Sequence, residues 1–193
     1  MDNKPLILVT NDDGIFAPGI QALVRVASKF GEVVVVAPNS PQSGQGHAVT
    51  IKDPIRIHKV DVFDDIESWE CSGTPVDCVK LATNGILKGR KIDLCLSGIN
   101  HGSNASINII YSGTMSAALE ASLEGIMSIG ISRLDYSHNA DFSASEIIME
   151  QLLRDHFNEE SPDANLLNVN IPNVKFEAIK GVKICRQADG NWE

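Results

Sequence analysis

The chain has 193 residues, 43% of them hydrophobic, and carries 16 Lys and Arg against 25 Asp and Glu for a net charge of −9. This length fits a single domain spanning 1–193, which buries roughly 70% of the surface its unfolded chain would expose. The acidic balance argues against nucleic acid polymers and anionic membranes as partners. It also means that binding a small anion requires local positive charge from a cation or a helix N-terminus.

The first apolar run, Leu6 to Val9, is too short for a secretory leader or a membrane span, so a cytoplasmic location is expected. Cys71, Cys78, Cys95 and Cys185 form no C-x-x-C pair and are expected to be reduced thiols.

Leu6–Val9 is bounded by a turn signal and is predicted to be a buried strand. Ile20, Leu23, Val24 and Ala27 recur at helical spacing. Gly31 closes that helix, and Val33–Val36 forms a second buried strand ended by Pro38. Asn39 to Ala48 is a polar loop. Val49, Ile51, Ile55 and Ile57 suggest a hairpin or edge strands outside the main sheet, broken by Asp53-Pro54.

Thr74, Pro75 and Asp77 are start signals for a helix whose Val79, Ala82, Thr83 and Ile86 face the core. Ile92, Leu94 and Leu96 mark a strand, and 100–111 a long polar loop. Ser112-Gly113-Thr114 opens a helix through Ala117, Leu119 and Leu123. A strand at 127–131, a helix at 143–157 and strands at 166–170 and 182–185 follow. Strand–helix alternation of this kind predicts a Rossmann-like, doubly wound α/β fold: a mostly parallel sheet with helices on both faces and a peripheral β-hairpin. The last expected strand stands so near Glu193 that the natural protein is expected to continue.

Ligands of open α/β sheets bind beyond the carboxyl ends of the strands. Three polar clusters fall there: Asn11-Asp12-Asp13-Gly14, Ser40 to His47 with Ser43 and Gly44, and Ser97 to Asn104 with Asn100. Adjacent carboxylates repel and raise each other's pKa unless a cation lies between them. Asp, Ser and Asn offer only oxygen, which suits Mg²⁺, Mn²⁺ or Ca²⁺ over zinc, although His47 and His101 stand nearby. Ser112-Gly113-Thr114 at a helix start is an anion site in its own right, with Asn104 close to it. Each residue taken singly also suits a turn, a cap or a solvated loop. No G-x-G-x-x-G follows a strand, and neither a P-loop nor a G-x-S-x-G elbow is present.

N-D-D-G, S-G-Q-G, G-T-P-x-D-C-V, S-G-I-N-x-G-x-N and Y-S-G-T, in this order, give the chain its resemblance to the survival protein E (SurE) family of 5′/3′-nucleotidases. The resemblance extends from Leu6 through Leu167 to Pro172 and Trp192. It implies a phosphomonoesterase acting on nucleoside 5′- and 3′-monophosphates, assembled as a homodimer or homotetramer. It implies one divalent cation per subunit, Mg²⁺ or Mn²⁺, on Asp12, Asp13, Ser43 and Asn100. Asp12 or Asp13 would orient or deprotonate the attacking water. Asn11, Gly44, Asn104, Ser112, Gly113 and Thr114 would bind substrate and phosphate. His47 and His101 are the candidates for protonating the leaving oxygen. Ser106 departs from the glycine many relatives carry, and Ala121-Ser122 from an acidic–glycine pair. The alternative of another class is a Mg²⁺-binding phosphoryl-receiver module. It requires a phosphoacceptor Asp where the strand ending at Leu96 leads into Ser97-Gly-Ile-Asn100. A haloacid-dehalogenase-type phosphatase requires Asp-x-Asp rather than adjacent aspartates.

Overall fold

The structure, a computed structural model, describes residues 4–137, 139–158 and 164–190. Trp192 lies outside the described residues.

The apolar runs at 6–9, 33–36 and 94–96 become strands buried on both sides. β1 (Leu6–Thr10), β2 (Glu32–Pro38), β4 (Glu67–Cys71), β5 (Leu94–His101), β6 (Met127–Arg133) and β7 (Leu166–Ile171) are joined by β3 (Ile57–Lys59). They form a seven-stranded sheet ordered β3-β4-β2-β1-β5-β6-β7. All neighbours pair in parallel except β3 with β4.

Because side chains alternate across a strand, one run feeds two cores. Ile7, Val9, Val33, Val35, Leu94 and Leu96 pack on one side, against α1 (Pro18–Ala27) and α5 (Ser143–Phe157). Leu6, Leu8, Val34, Val36 and Cys95 pack on the other, against α2 (Pro75–Leu81) and α4 (Gly113–Leu123). Helices therefore cover both faces, as the alternation predicts.

The start signals of α2 act together. Thr74 Oγ1 accepts from Asp77 N–H, and the Asp77 carboxylate accepts from Thr74 N–H. This reciprocal capping satisfies two donors that a helix start leaves over. Asp77 also accepts from the backbone and hydroxyl of Thr50, which ties down the chain after the polar loop.

Three expectations change. The hairpin is present, but it is built from β3 and β4, and β4 joins the main sheet through β2. Val49 and Ile51 stay outside any strand and are exposed. The polar segment after β5 is shorter than expected, since β5 runs to His101 and a short α3 (Asn108–Tyr111) precedes α4. The strand expected at 182–185 does not form. Val182 and Ile184 alternate suitably but pair with no strand among the described residues, and both are exposed. Cys71, Cys78 and Cys95 are buried free thiols and Cys185 is exposed. No helix among the described residues is long and apolar enough to cross a membrane.

Candidate active site

Strand order reverses at β1, with β2 on one side and β5 on the other. Crevices at such switch points are where open α/β sheets bind ligands. Asp12 and Asp13 leave the end of β1 there, and Asn100 sits near the end of β5.

The two aspartates are held differently. Asp12 is 5% exposed, and its Oδ1 accepts from the Thr114 hydroxyl at 2.5 Å. Burial first, and then the charge of Asp13, push its carboxyl up to about 6, against the pull of the Thr114 hydrogen bonds. Gly113 packs directly on it, for a Cβ there would stand 2.7 Å from Asp12 Cβ. Asp13 Oδ2 lies 3.0 Å from His101 Nδ1 and also accepts from His101 N–H at 3.4 Å. That hydrogen bond raises the His101 pKa against the effect of burial. The His101 ring in turn meets Phe142 edge-on, with centroids 5.2 Å apart.

Asn11 donates to Gly14 O at 2.9 Å, which fixes the turn, and Gly14 supplies the positive φ of +98°. Among the described residues, Asn11 Oδ1 is buried without a hydrogen-bond partner. Asn100 Nδ2 donates to Gly102 O at 3.0 Å. The loop with Ser43 and Gly44 is brought to β1 by Gln42 N–H, which donates to Asp12 O at 2.7 Å. Ser43 and Gly44 follow that anchor and are exposed, with Gly44 at φ +73°.

The start of α4 faces Asp12. Ser112 is its N-cap and accepts from Met115 N–H at 3.0 Å, so the Ser112 and Thr114 hydroxyls are both engaged within the protein. Asn104 is buried; its amide donates to Ser132 Oγ at 2.8 Å and its N–H to Asn170 Oδ1 at 2.9 Å. Asn168 donates to Asn104 O at 2.9 Å. Ser132, Asn168 and Asn170 thus hold the loop from β6 and β7. Polar side chains within the strand predicted at 166–170 are the available signal for Asn168 and Asn170, whereas Ser132 lies one residue past the strand predicted at 127–131. Ser106 adopts φ +54°, a conformation that suits glycine.

His47 is elsewhere. Its Nε2 lies 2.8 Å from Glu120 Oε2, and Glu120 is seven residues along α4 from Gly113, about 10 Å by helical rise. Of the two histidines, only His101 contacts an aspartate of the pair. A cleft of about 530 Å³ among Lys4, Glu32, Arg90, Lys91 and Asp93 lies at the amino ends of the strands, away from this site.

A divalent cation suits the residues present. The two carboxylates offer oxygen donors only, and among the described residues no cationic side chain is in contact with the buried Asp12 carboxylate. Among the described residues no group of three His, Cys, Asp or Glu side chains gathers, so nitrogen- and sulfur-rich zinc geometries have no counterpart.

Residues 7–193 match the family model of the survival protein SurE. The chain is 56% identical over 191 residues to the 5′-nucleotidase SurE of Cytophaga hutchinsonii, covering 99% of this chain and 74% of that one. It is 57% identical to the protein of the same name from Christiangramia forsetii, covering 98% and 74%. The crystal structure of the SurE protein from Aquifex aeolicus superposes with a TM-score of 0.86 at 43% identity, covering 96% of this chain and 73% of that one. On a match of this extent, with the acidic pair at the switch point of the matching fold, the chain belongs to the SurE family.

Proposed function

We infer that the chain is a metal-dependent 5′-nucleotidase that hydrolyses nucleoside monophosphates to nucleoside and phosphate. The observation that carries this is the pair Asp12 and Asp13 held at the β1–β5 crevice beside the start of α4, in a chain over half identical to 5′-nucleotidases along nearly its whole length. Asp12, Asp13, Ser43 and Asn100 are the residues that would hold one Mg²⁺ or Mn²⁺. Bound there, the cation would neutralise phosphate charge and lower the pKa of a bound water.

The chain's own residues supply the rest. Thr114 fixes Asp12, and His101 fixes Asp13, so the two carboxylates enter the reaction already oriented. Either would orient the attacking water. The backbone of the first turn of α4 at Gly113 and Thr114, with the side of Asn104, accommodates the phosphate oxygens, helped by the helix dipole. Gly44 and Asn11 would complete the substrate contacts. His101 Nδ1 is occupied by Asp13, and its other ring nitrogen is the donor assigned to the leaving nucleoside oxygen. No Asp ends β5, where a receiver module would carry its phosphoacceptor.

Phosphate release from a panel of nucleoside 5′- and 3′-monophosphates, with Mg²⁺, Mn²⁺ or EDTA, tests the reading. Release that requires metal and falls at least about 100-fold in Asp13→Asn is expected, a loss typical of removing one oriented transition-state contact. Undiminished turnover in excess chelator would overturn it. Stable labelling by acetyl phosphate without turnover would favour the receiver module.

A further inference from the structure

Glu120 is a charged residue inside α4 that the chemistry above does not use. Its side chain is 7% exposed, and both carboxylate oxygens are taken: Oε2 by His47 at 2.8 Å and Oε1 by Lys80 from α2. Burial drives its pKa up, but the Lys80 and His47 hydrogen bonds outweigh burial and leave it below the ordinary range. A buried carboxylate with two such partners is costly to keep unless its geometry serves something.

What it holds is the loop that carries Ser43. On the amino side, Gln42 N–H donates to Asp12 O at 2.7 Å. On the carboxyl side, Gly46 N–H donates to Tyr111 O at 3.1 Å, His47 reaches Glu120, and Ala48 O accepts from the Thr74 hydroxyl at 2.7 Å. Ser43, Gly44 and Gln45 between these anchors are exposed, and a Cβ on Gly44 would meet nothing within 4 Å. With its central residues exposed, the turn depends for its position on its ends. The same helix that presents Thr114 to Asp12 presents Glu120 to His47. One rigid element therefore sets where Asp12 and the Ser43 loop stand relative to each other.

We propose that His47, Glu120 and Lys80 form a clamp that positions the Ser43 loop and thereby sets the affinity of the site for its divalent cation. This rests on the metal-dependent reading above. The three are positioning residues, and none of them touches the reacting atoms.

Mn²⁺ binding, followed by the loss of the free-ion electron paramagnetic resonance signal, tests the clamp directly. Wild type, His47→Ala and His47→Gln are compared, with thermal melting and the metal dependence of kcat and KM recorded alongside. Loss of a charge-assisted hydrogen bond is expected to weaken Mn²⁺ binding about 10- to 100-fold in His47→Ala. kcat at saturating Mn²⁺ should stay within about threefold of wild type, because the reacting groups are intact. His47→Gln keeps a donor toward Glu120 and should recover most of the affinity. His47 sits on a half-exposed loop, so both variants should melt within a few degrees of wild type. An affinity in His47→Ala within about twofold of wild type, or equal weakening in His47→Gln, would overturn the clamp while leaving the nucleotidase reading intact. A wild-type chain that neither binds Mn²⁺ nor releases phosphate would overturn both.

Discussion

A Cβ on Gly113 would stand 2.9 Å from Asp12 Oδ2 as well as 2.7 Å from its Cβ. Alanine is the better helix former by about 1 kcal/mol, so Gly113→Ala carries no penalty from the helix itself. Its effect falls on the carboxylate. Activity is expected to drop at least about 100-fold and Mn²⁺ binding to weaken, while the circular dichroism spectrum stays native. Unchanged activity would show that Asp12 has room to move.

Asp12 also gives the metal-free protein a pH signature. Its folded pKa of about 6 lies above the unfolded value of 3.8, so its contribution to stability is full below about 4 and is lost as the pH rises through about 6. The difference amounts to roughly 3 kcal/mol. In EDTA, wild type should lose stability between about pH 4 and pH 6.5 relative to Asp12→Asn, in which that slope is absent. Parallel denaturation midpoints for the two proteins across this range would contradict the assignment.

At the scale of elements, the seat of α1 on β5 is a contact between backbones. A Cβ on Gly19 would lie 2.0 Å from Ile99 O, with no flexible side chain able to give way. Gly19→Ala should therefore cost about 2–3 kcal/mol by chemical denaturation. It should also shift the end of β5 with Asn100 and weaken metal binding. A variant of wild-type stability would mean that the helix slides freely. The elements differ in how far their sequences disclose them. β1, β2 and β5 are continuous apolar runs, and the residues after them carry the polar clusters, so both the crevice and its aspartates are legible. β4 reads Glu-Ser-Trp-Glu-Cys and shows neither an apolar run nor a clean alternation, which is why the hairpin is expected too early in the chain. The grip of Ser132, Asn168 and Asn170 on Asn104 depends on β6 and β7 being neighbours. No local pattern encodes that adjacency, nor the partnership of His47 with Glu120, 73 residues apart. The alternation of Val182 and Ile184 reads as a strand because local pattern cannot reveal whether an edge is available to pair with.

At the scale of the whole molecule, an anionic substrate approaches a chain of net charge −9. The long-range field opposes the encounter and is screened within about 8 Å at physiological ionic strength. kcat/KM for a nucleoside monophosphate should therefore rise as salt increases from low ionic strength toward about 0.15 M, provided metal is saturating. A steady fall would indicate local attraction at the crevice strong enough to dominate the field. The same view joins the site to the architecture beneath it. Asp12 is fastened to α4 on one side of the sheet through Thr114, and Asp13, through His101 and Phe142, to the core on the other. In coordination terms, a cation held by the proposed pair would be gripped by one carboxylate fastened to each core. Overfilling or hollowing either core would then retune which cation fits, without a substitution at any ligand.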